Sequence, residues 1–125
     1  MPLTTRLKRP TVLIVDAAAD RRERVLGALA PHEFRPRAVA DAKEAALALQ
    51  RVETDIVVVS DDRAAGVLRV LRPLGPRVRF VVIAQASWDA YTELTSLGAI
   101  EVVPPALVGP ELAKRLRRLM PSDAA

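Results

Sequence analysis

The sequence predicts an α/β protein, a doubly wound (βα)5 domain in which a parallel sheet lies between two layers of helices. Four short runs of apolar, mostly β-branched residues are continuous rather than alternating with polar residues, which is typical of strands buried on both faces of a parallel sheet. Segments with the apolar spacing of a helix separate these runs and follow the last one. This repeated order of strand and helix indicates parallel strands joined by right-handed crossovers.

The predicted sheet has a fifth, weaker strand that contains Pro36. Because proline has no backbone N–H to donate, this strand is expected at an edge of the sheet. In chain order the predicted strands are residues 11–15, 35–39, 56–59, 80–83 and 100–103.

The predicted helices are bounded by capping residues. Asp41 and Ser87 are expected N-caps, because a short side chain with an oxygen atom can accept from the free N–H groups of the first turn. Gly98 is a typical stop signal at the end of a helix. Trp88 is expected to point outward, because Leu94 marks the inward face of the same helix. The predicted helices are residues 20–30, 41–51, 65–72, 87–97 and 110–120.

The composition limits both the size of the fold and its chemistry. A chain of 125 residues is expected to form a single domain, with a folded core over about residues 10–120. The absence of cysteine and the single histidine, His32, exclude disulfides, thiolate zinc sites and histidine-cluster metal sites. No apolar run approaches the roughly 18 residues of a membrane span, so we expect a cytoplasmic location and no membrane partner.

The net charge of +4 permits an acidic partner or nucleic acid. The arginines are scattered along the chain, however, and aromatic residues make up only 3% of it. Binding to single-stranded nucleic acid depends on aromatic stacking platforms, and binding to duplexes depends on clustered basic residues. The sequence therefore argues against nucleic acid as the partner.

The candidate functional residues are those that directly follow the predicted strands, because ligands of doubly wound sheets bind outside the carboxyl ends of the strands. Neither a GxGxxG nor a GxxxxGK[ST] motif follows any strand, which excludes the usual dinucleotide and P-loop sites. The residues at these strand ends are Asp16, Ala17, Ser60, Asp61, Asp62, Gln85 and Pro105.

Four segments of the chain carry a resemblance to a known family. They are residues 12–16 (VLIVD), 41–45 (DAKEA), 55–59 (DIVVV) and 97–99 (LGA). Their order and spacing resemble the receiver domain of bacterial two-component response regulators, over roughly residues 11–120. The resemblance implies a flavodoxin-like fold with the strand order 2-1-3-4-5.

The chain departs from the receiver pattern at the positions that carry its chemistry. Of the two adjacent acids that help to hold Mg²⁺ in the family, only Asp16 is present, because Ala17 stands at the second position. Ser60 stands at the position of the phosphorylated aspartate, and a hydroxyl cannot form the acyl phosphate for which a carboxylate is needed. Gln85 aligns with the family's Thr or Ser, and Pro105 aligns with its lysine.

Two further acids follow directly on Ser60. Asp61 or Asp62 is an alternative phosphoacceptor, shifted by one or two residues from the usual position. The simpler interpretation is a polar turn whose carboxylates cap the next helix. Asp16 is likewise interpreted as a remnant of the acidic pocket or a cap of the first helix, rather than as a metal ligand.

The function expected from this resemblance is a receiver-like signalling module, not an enzyme, that acts through protein contacts without aspartyl phosphorylation and without a cofactor. The alternative is a conventional phosphoacceptor that uses Mg²⁺, and a basic nucleic-acid-binding accessory protein is the third possibility. The expected partner is another signalling protein, or the chain itself as a homodimer. The expected interaction face carries Trp88 and Tyr91, with a basic rim of Lys114, Arg117 and Arg118.

Overall fold

The computed structural model describes residues 9–31, 33–60, 62–85 and 87–120. In these ranges five parallel strands form one sheet in the order β2-β1-β3-β4-β5, which confirms the predicted topology. The strands are β1 Thr11–Val15, β2 Arg35–Val39, β3 Ile56–Val59, β4 Arg79–Ile83 and β5 Ala99–Val103. The helices are α1 Ala19–Ala28, α2 Ala42–Arg51, α3 Ala64–Leu71, α4 Trp88–Ser96 and α5 Pro110–Leu119, with 3₁₀ turns at Arg72–Leu74 and Pro105–Leu107.

The central strand β1 is paired on both sides, with Leu13 opposite Arg37 of β2 and opposite Val57 of β3. The strand that contains Pro36 lies at one edge, as its missing N–H predicts. Strand β5 forms the other edge, and its Ile100 side chain is exposed rather than buried. The expectation that this run is buried on both faces is therefore wrong at Ile100, whose side chain is 54% exposed.

Alternate residues of the strands support two separate cores, one on each face of the sheet. Helices α1 and α5 pack on the face that carries Val12 and Ile14. Helices α2, α3 and α4 pack on the opposite face, which carries Leu13 and Val15. Because successive side chains of a strand point to opposite faces, an unbroken apolar run fills both cores.

The helix boundaries follow the predicted caps to within one or two residues. The Asp41 carboxylate accepts from the Glu44 N–H at 2.8 Å, and the Ser87 hydroxyl accepts from the Ala90 N–H at 3.1 Å. Helix α1 ends two residues before its predicted end, because Leu29 leaves the helical conformation (φ −105°, ψ 104°) and is buried.

One glycine is required by the turn between α4 and β5. Gly98 has a φ of +111°, a region that residues with a Cβ atom rarely adopt. A Cβ atom at this position would lie about 2.3 Å from Cδ of Arg72, whose side chain covers the glycine. The backbone conformation and the packing therefore both select glycine here.

None of the helices in the described part of the chain is long and apolar enough to cross a membrane.

Candidate functional site

The ends of strands β1 and β3 bring Asp16 and Ser60 together. The sheet pairing continues one step beyond the strands, because the Asp16 N–H donates to the Val39 carbonyl and the Ser60 N–H donates to the Val15 carbonyl. Both side chains are buried, and the Ser60 hydroxyl donates to Oδ2 of Asp16 at 2.7 Å. Two positions separated by 44 residues thus form one buried polar contact.

The Asp16 carboxylate is held mainly by Arg21, from the first turn of α1. Nε of Arg21 donates to Oδ2 and Nη2 donates to Oδ1, each at 2.9 Å. This is the two-pronged geometry in which a guanidinium binds a carboxylate most specifically. The Ala18 N–H adds a further hydrogen bond to Oδ1 at 2.9 Å. The described contacts therefore fill about four acceptor positions, which is the capacity of a carboxylate.

The charge of Asp16 is set by two opposing effects. Burial raises the pKa of this carboxyl. The hydrogen bonds from Arg21, Ser60 and the Ala18 N–H, together with the electrostatic attraction of Arg21, lower the pKa, and their combined effect is larger than that of burial. The net result is a pKa below the usual value, so Asp16 is an ionised carboxylate at neutral pH.

Arg21 also reaches Asp62, which precedes helix α3. Its Nη1 lies 3.3 Å from Oδ1 of Asp62, whose side chain is 87% exposed. The expectation that Asp62 caps the following helix is wrong: Arg63 occupies the N-cap position without a capping side-chain bond, and Asp62 faces Arg21 instead. Asp61 lies outside the described residues.

The other predicted site residues fall into two groups. Ser60, Asp62, Gln85 and Pro105 line one cavity of about 470 Å³ at the carboxyl ends of β3 and β4. Ala17 is exposed on the loop after β1 and does not line this cavity. Asp16 joins the first group through its hydrogen bond with Ser60.

Arg21 was not identified from the sequence as a site residue. Several arginines lie close together at the start of this helix, and their spacing does not indicate which of them turns toward Asp16. One signal was present in the sequence. A buried acid requires a nearby cation, and since no lysine occurs between Lys43 and Lys114, the strand ends in that range offer none, which favours an arginine.

The described residues of this site do not fit a magnesium ion. Mg²⁺ requires nearly octahedral oxygen ligation, whereas both carboxylate oxygens of Asp16 are bound by Arg21 and Ala17 offers no side-chain oxygen. Within the described ranges no group of three or more acidic, histidine or cysteine side chains could hold a metal ion. The Arg21 guanidinium supplies the positive charge beside Asp16.

The predicted interaction face has an exposed aromatic pair. Trp88 is 79% exposed and Tyr91 is 47% exposed, and their rings stack with centroids 6.1 Å apart. The outward direction of Trp88 is as predicted. Exposed Ile100, on edge strand β5, is a further apolar side chain that the sequence analysis did not place at the surface.

The predicted basic rim is partly neutralised within the chain. Arg117 forms an ion pair with Glu33 at 2.6 Å, and Arg118 lies 4.0 Å from Glu111. Lys114 is exposed on the same helix. The rim therefore presents less unpaired positive charge than the sequence suggests.

The chain matches no protein-family model and no curated protein sequence.

Solved structures, in contrast, match the chain closely in three dimensions. A response regulator from Thermotoga maritima superimposes with a TM-score of 0.81 at 23% identity, over 92% of this chain and 100% of that one. The chemotaxis response regulator CheY4 of Vibrio cholerae gives 0.75 at 19% identity, over 90% and 100%. An orphan response regulator of H. pylori gives 0.76 at 14% identity, over 89% and 98%. The chain therefore has the fold of the receiver domains of response regulators.

Proposed function

We propose that this chain is a receiver-like signalling module that acts through protein contacts, without conventional aspartyl phosphorylation. The observation that carries the proposal is the pair of hydrogen bonds from Arg21 to the Asp16 carboxylate. Ser60, at the end of β3, donates a further hydrogen bond to the same carboxylate. Asp16 has the position of a receiver's metal-binding acid, but its oxygens are already bound. Ser60 has the position of the phosphoacceptor, but a hydroxyl cannot form a mixed anhydride with phosphate.

The Arg21–Asp16 pair also makes phosphorylation chemistry costly to restore. A metal ion could approach Asp16 only after the guanidinium had left it. Breaking a buried ion pair costs about 3–5 kcal/mol when one partner is removed, and the half-buried position of Arg21 reduces this figure. The pair thus supports a site that is stable in a single, metal-independent form.

The surface that we assign to signal output is the exposed aromatic pair of Trp88 and Tyr91 on α4. Large aromatic side chains dominate the energetics of many protein interfaces, and the rings of these two stack on each other at the surface. Exposed aromatic side chains fit a protein partner, either a second copy of this chain or another signalling protein.

Nucleic acid is not the partner that we propose. Although the net charge is +4, several arginines are engaged within the chain, among them Arg21, Arg115 and Arg117. Phosphate binding requires cations that are free to replace the counterions of the nucleic acid. Binding to random-sequence DNA that weakens steeply with salt would contradict this part of the proposal.

The test of the proposal is incubation with acetyl phosphate and Mg²⁺, followed by intact mass measurement. We expect no added phosphate, because among the described residues Ser60 carries a hydroxyl at this position and both Asp16 oxygens are bound by Arg21. Stoichiometric, Mg²⁺-dependent modification at Asp61 or Asp62 would overturn the proposal and establish a shifted phosphoacceptor.

A further inference from the structure

The cavity of about 470 Å³ above the sheet has the dimensions of a small-molecule site, a class that spans about 300–1,000 Å³. It lies over the carboxyl ends of β3 and β4 and is lined from both sides of the sheet. Val25 and Val108 line it on the side of α1 and α5, and Ala90 and Leu94 line it on the side of α4. The cavity is therefore a trench that crosses the end of the sheet.

The buried part of the trench lining is mostly aliphatic. The buried lining side chains Val25, Ile83 and Leu94 are apolar, and the buried Ser60 hydroxyl, which is bound to Asp16, is the polar exception. Among the described lining residues none is aromatic, so the trench offers no stacking surface for a nucleobase. These walls suit an aliphatic body.

The rim of the trench carries two charges of opposite sign. Arg24 extends from α1 and Glu93 extends from α4, and these helices pack on opposite faces of the sheet. Over the described ranges neither side chain has an ion-pair partner within 4.0 Å. The other two charged lining residues, Arg21 and Asp62, are paired with each other.

We propose that the trench binds a short linear zwitterion with an aliphatic body. Its carboxylate would pair with Arg24, its ammonium would pair with Glu93, and its methylene groups would lie on Ile83 and Leu94. The inference rests on the proposed function, because only a receiver fold that carries no phosphoryl group leaves this end of the sheet to another ligand.

The first experiment is an NMR titration of the ¹⁵N-labelled chain with 6-aminohexanoate, which has one charge at each end of five methylene groups. A ligand of this size is expected to bind in the millimolar range, so the titration extends to about 50 mM. We expect saturable shifts centred on the amides of Ser60, Ala64, Ala84 and Ala90. Absence of saturable shifts at these amides would overturn the proposal.

Two matched probes test the role of each charge. Hexanoate lacks the ammonium group and hexylamine lacks the carboxylate, and each is expected to bind about two- to fivefold more weakly than 6-aminohexanoate, as for an exposed ion pair. If either singly charged probe, or uncharged hexanol, binds as tightly as the zwitterion, the charge assignment is wrong.

Two variants assign the charges to residues. Arg24→Leu should abolish the advantage of 6-aminohexanoate over hexylamine, and Glu93→Gln should abolish its advantage over hexanoate. Arg69→Leu and Asp89→Asn change exposed charges on α3 and α4 that do not line the trench, and should change neither preference. Unchanged preferences in Arg24→Leu and Glu93→Gln would overturn the assignment.

The source of the zwitterion is distinguished by a parallel titration with the dipeptide Val-Ala. Gln85 lines the trench and can both donate to and accept from a peptide bond, so tighter binding of the dipeptide would identify a peptide ligand. The two proposals fail separately. Phosphate on the chain would contradict the proposed function in the mass measurement, whereas an unsaturable titration would contradict the ligand site alone.

Discussion

Arg21 binds both carboxylate oxygens of Asp16, with Nε to Oδ2 and Nη2 to Oδ1 at 2.9 Å each. This contact joins the first turn of α1 to the end of β1 and sets the charge of the buried site. Because Asp16 is completely buried while Arg21 is 39% exposed, the carboxylate depends on the guanidinium more than the guanidinium depends on the carboxylate.

The first prediction concerns the stability that this pair confers. Arg21→Ala should lower the free energy of unfolding by about 2 kcal/mol, because it leaves a buried carboxylate with only part of its hydrogen bonding. Urea denaturation measures the change. Arg24→Ala removes an exposed arginine one turn further along α1 and should change stability by less than about 0.5 kcal/mol. If the two substitutions change the free energy of unfolding equally, the ion pair between Arg21 and Asp16 contributes nothing to stability.

The second prediction concerns acid stability. Because folding lowers the pKa of Asp16 below its ordinary value of 3.8, the unfolded chain binds more protons at this residue at low pH. The stabilisation from ionised Asp16 is present above that ordinary value and is lost as the pH falls through the lowered pKa of the folded state. Unfolding free energies measured from neutral pH down to about pH 2 should therefore fall less steeply in Asp16→Asn than in the unaltered chain.

A smaller acid sensitivity should persist in Asp16→Asn. The hydrogen bond from Arg115 lowers the pKa of Glu111 as well, so this second carboxylate contributes in the same direction. Asp89→Asn removes an exposed carboxylate and is the control. The prediction is contradicted if the unfolding free energy of Asp16→Asn falls at low pH as steeply as that of the unaltered chain.

The third prediction concerns the attempt to restore phosphorylation. Ser60→Asp alone should not produce strong Mg²⁺-dependent labelling by acetyl phosphate, because Ala17 and Pro105 still lack the family's acid and lysine and Arg21 still binds Asp16. Intact mass measurement reads the result. The combined variant Ala17→Asp, Ser60→Asp, Pro105→Lys and Arg21→Ala is the comparison and is expected to label more than Ser60→Asp. Full labelling of the single variant would show that Arg21 and Ala17 do not obstruct the site.

The fourth prediction concerns the output face. The double substitution Trp88→Ala and Tyr91→Ala should weaken self-association or partner binding by about 2 kcal/mol or more if these are hot spots, while the fold stays intact because both side chains are exposed. Sedimentation equilibrium, or titration with a captured partner, measures the affinity. The matched control Leu47→Ala and Val70→Ala removes exposed apolar side chains on α2 and α3. If the aromatic variant binds with unchanged affinity, the docking surface lies elsewhere.

The fifth prediction contrasts two glycines. Gly98→Ala should destabilise the chain by about 1–2 kcal/mol, because it forces a Cβ atom into a positive-φ conformation and against Arg72. Gly66→Ala lies in the interior of α3 with no neighbouring atom within 4 Å of the added Cβ, and should stabilise the chain by up to about 1 kcal/mol. Urea denaturation of the two variants should give changes of opposite sign.

Much of the fold follows from local patterns in the sequence. Strand β3 was predicted at its observed ends because a run buried on both faces leaves no polar positions to confuse its limits. The helix starts at Asp41 and Ser87 were predicted because each capping hydrogen bond joins residues that are only three positions apart in the sequence. Leu29 shows the limit of such reasoning, since its departure from the helix depends on the core that it enters.

The sequence by itself determined the alternation of strands and helices and the edge position of the Pro36 strand. These properties depend on residue type and on contacts along the chain, which periodicity reveals. Only the tertiary structure decided that Arg21 binds Asp16 and draws Asp62 toward it, and that Arg24 and Glu93 meet the same cavity from opposite faces of the sheet. Such pairings depend on the rotation of each helix about its axis and on its angle to the sheet. Both are set by packing against the core, and several neighbouring arginines satisfy the same sequence pattern.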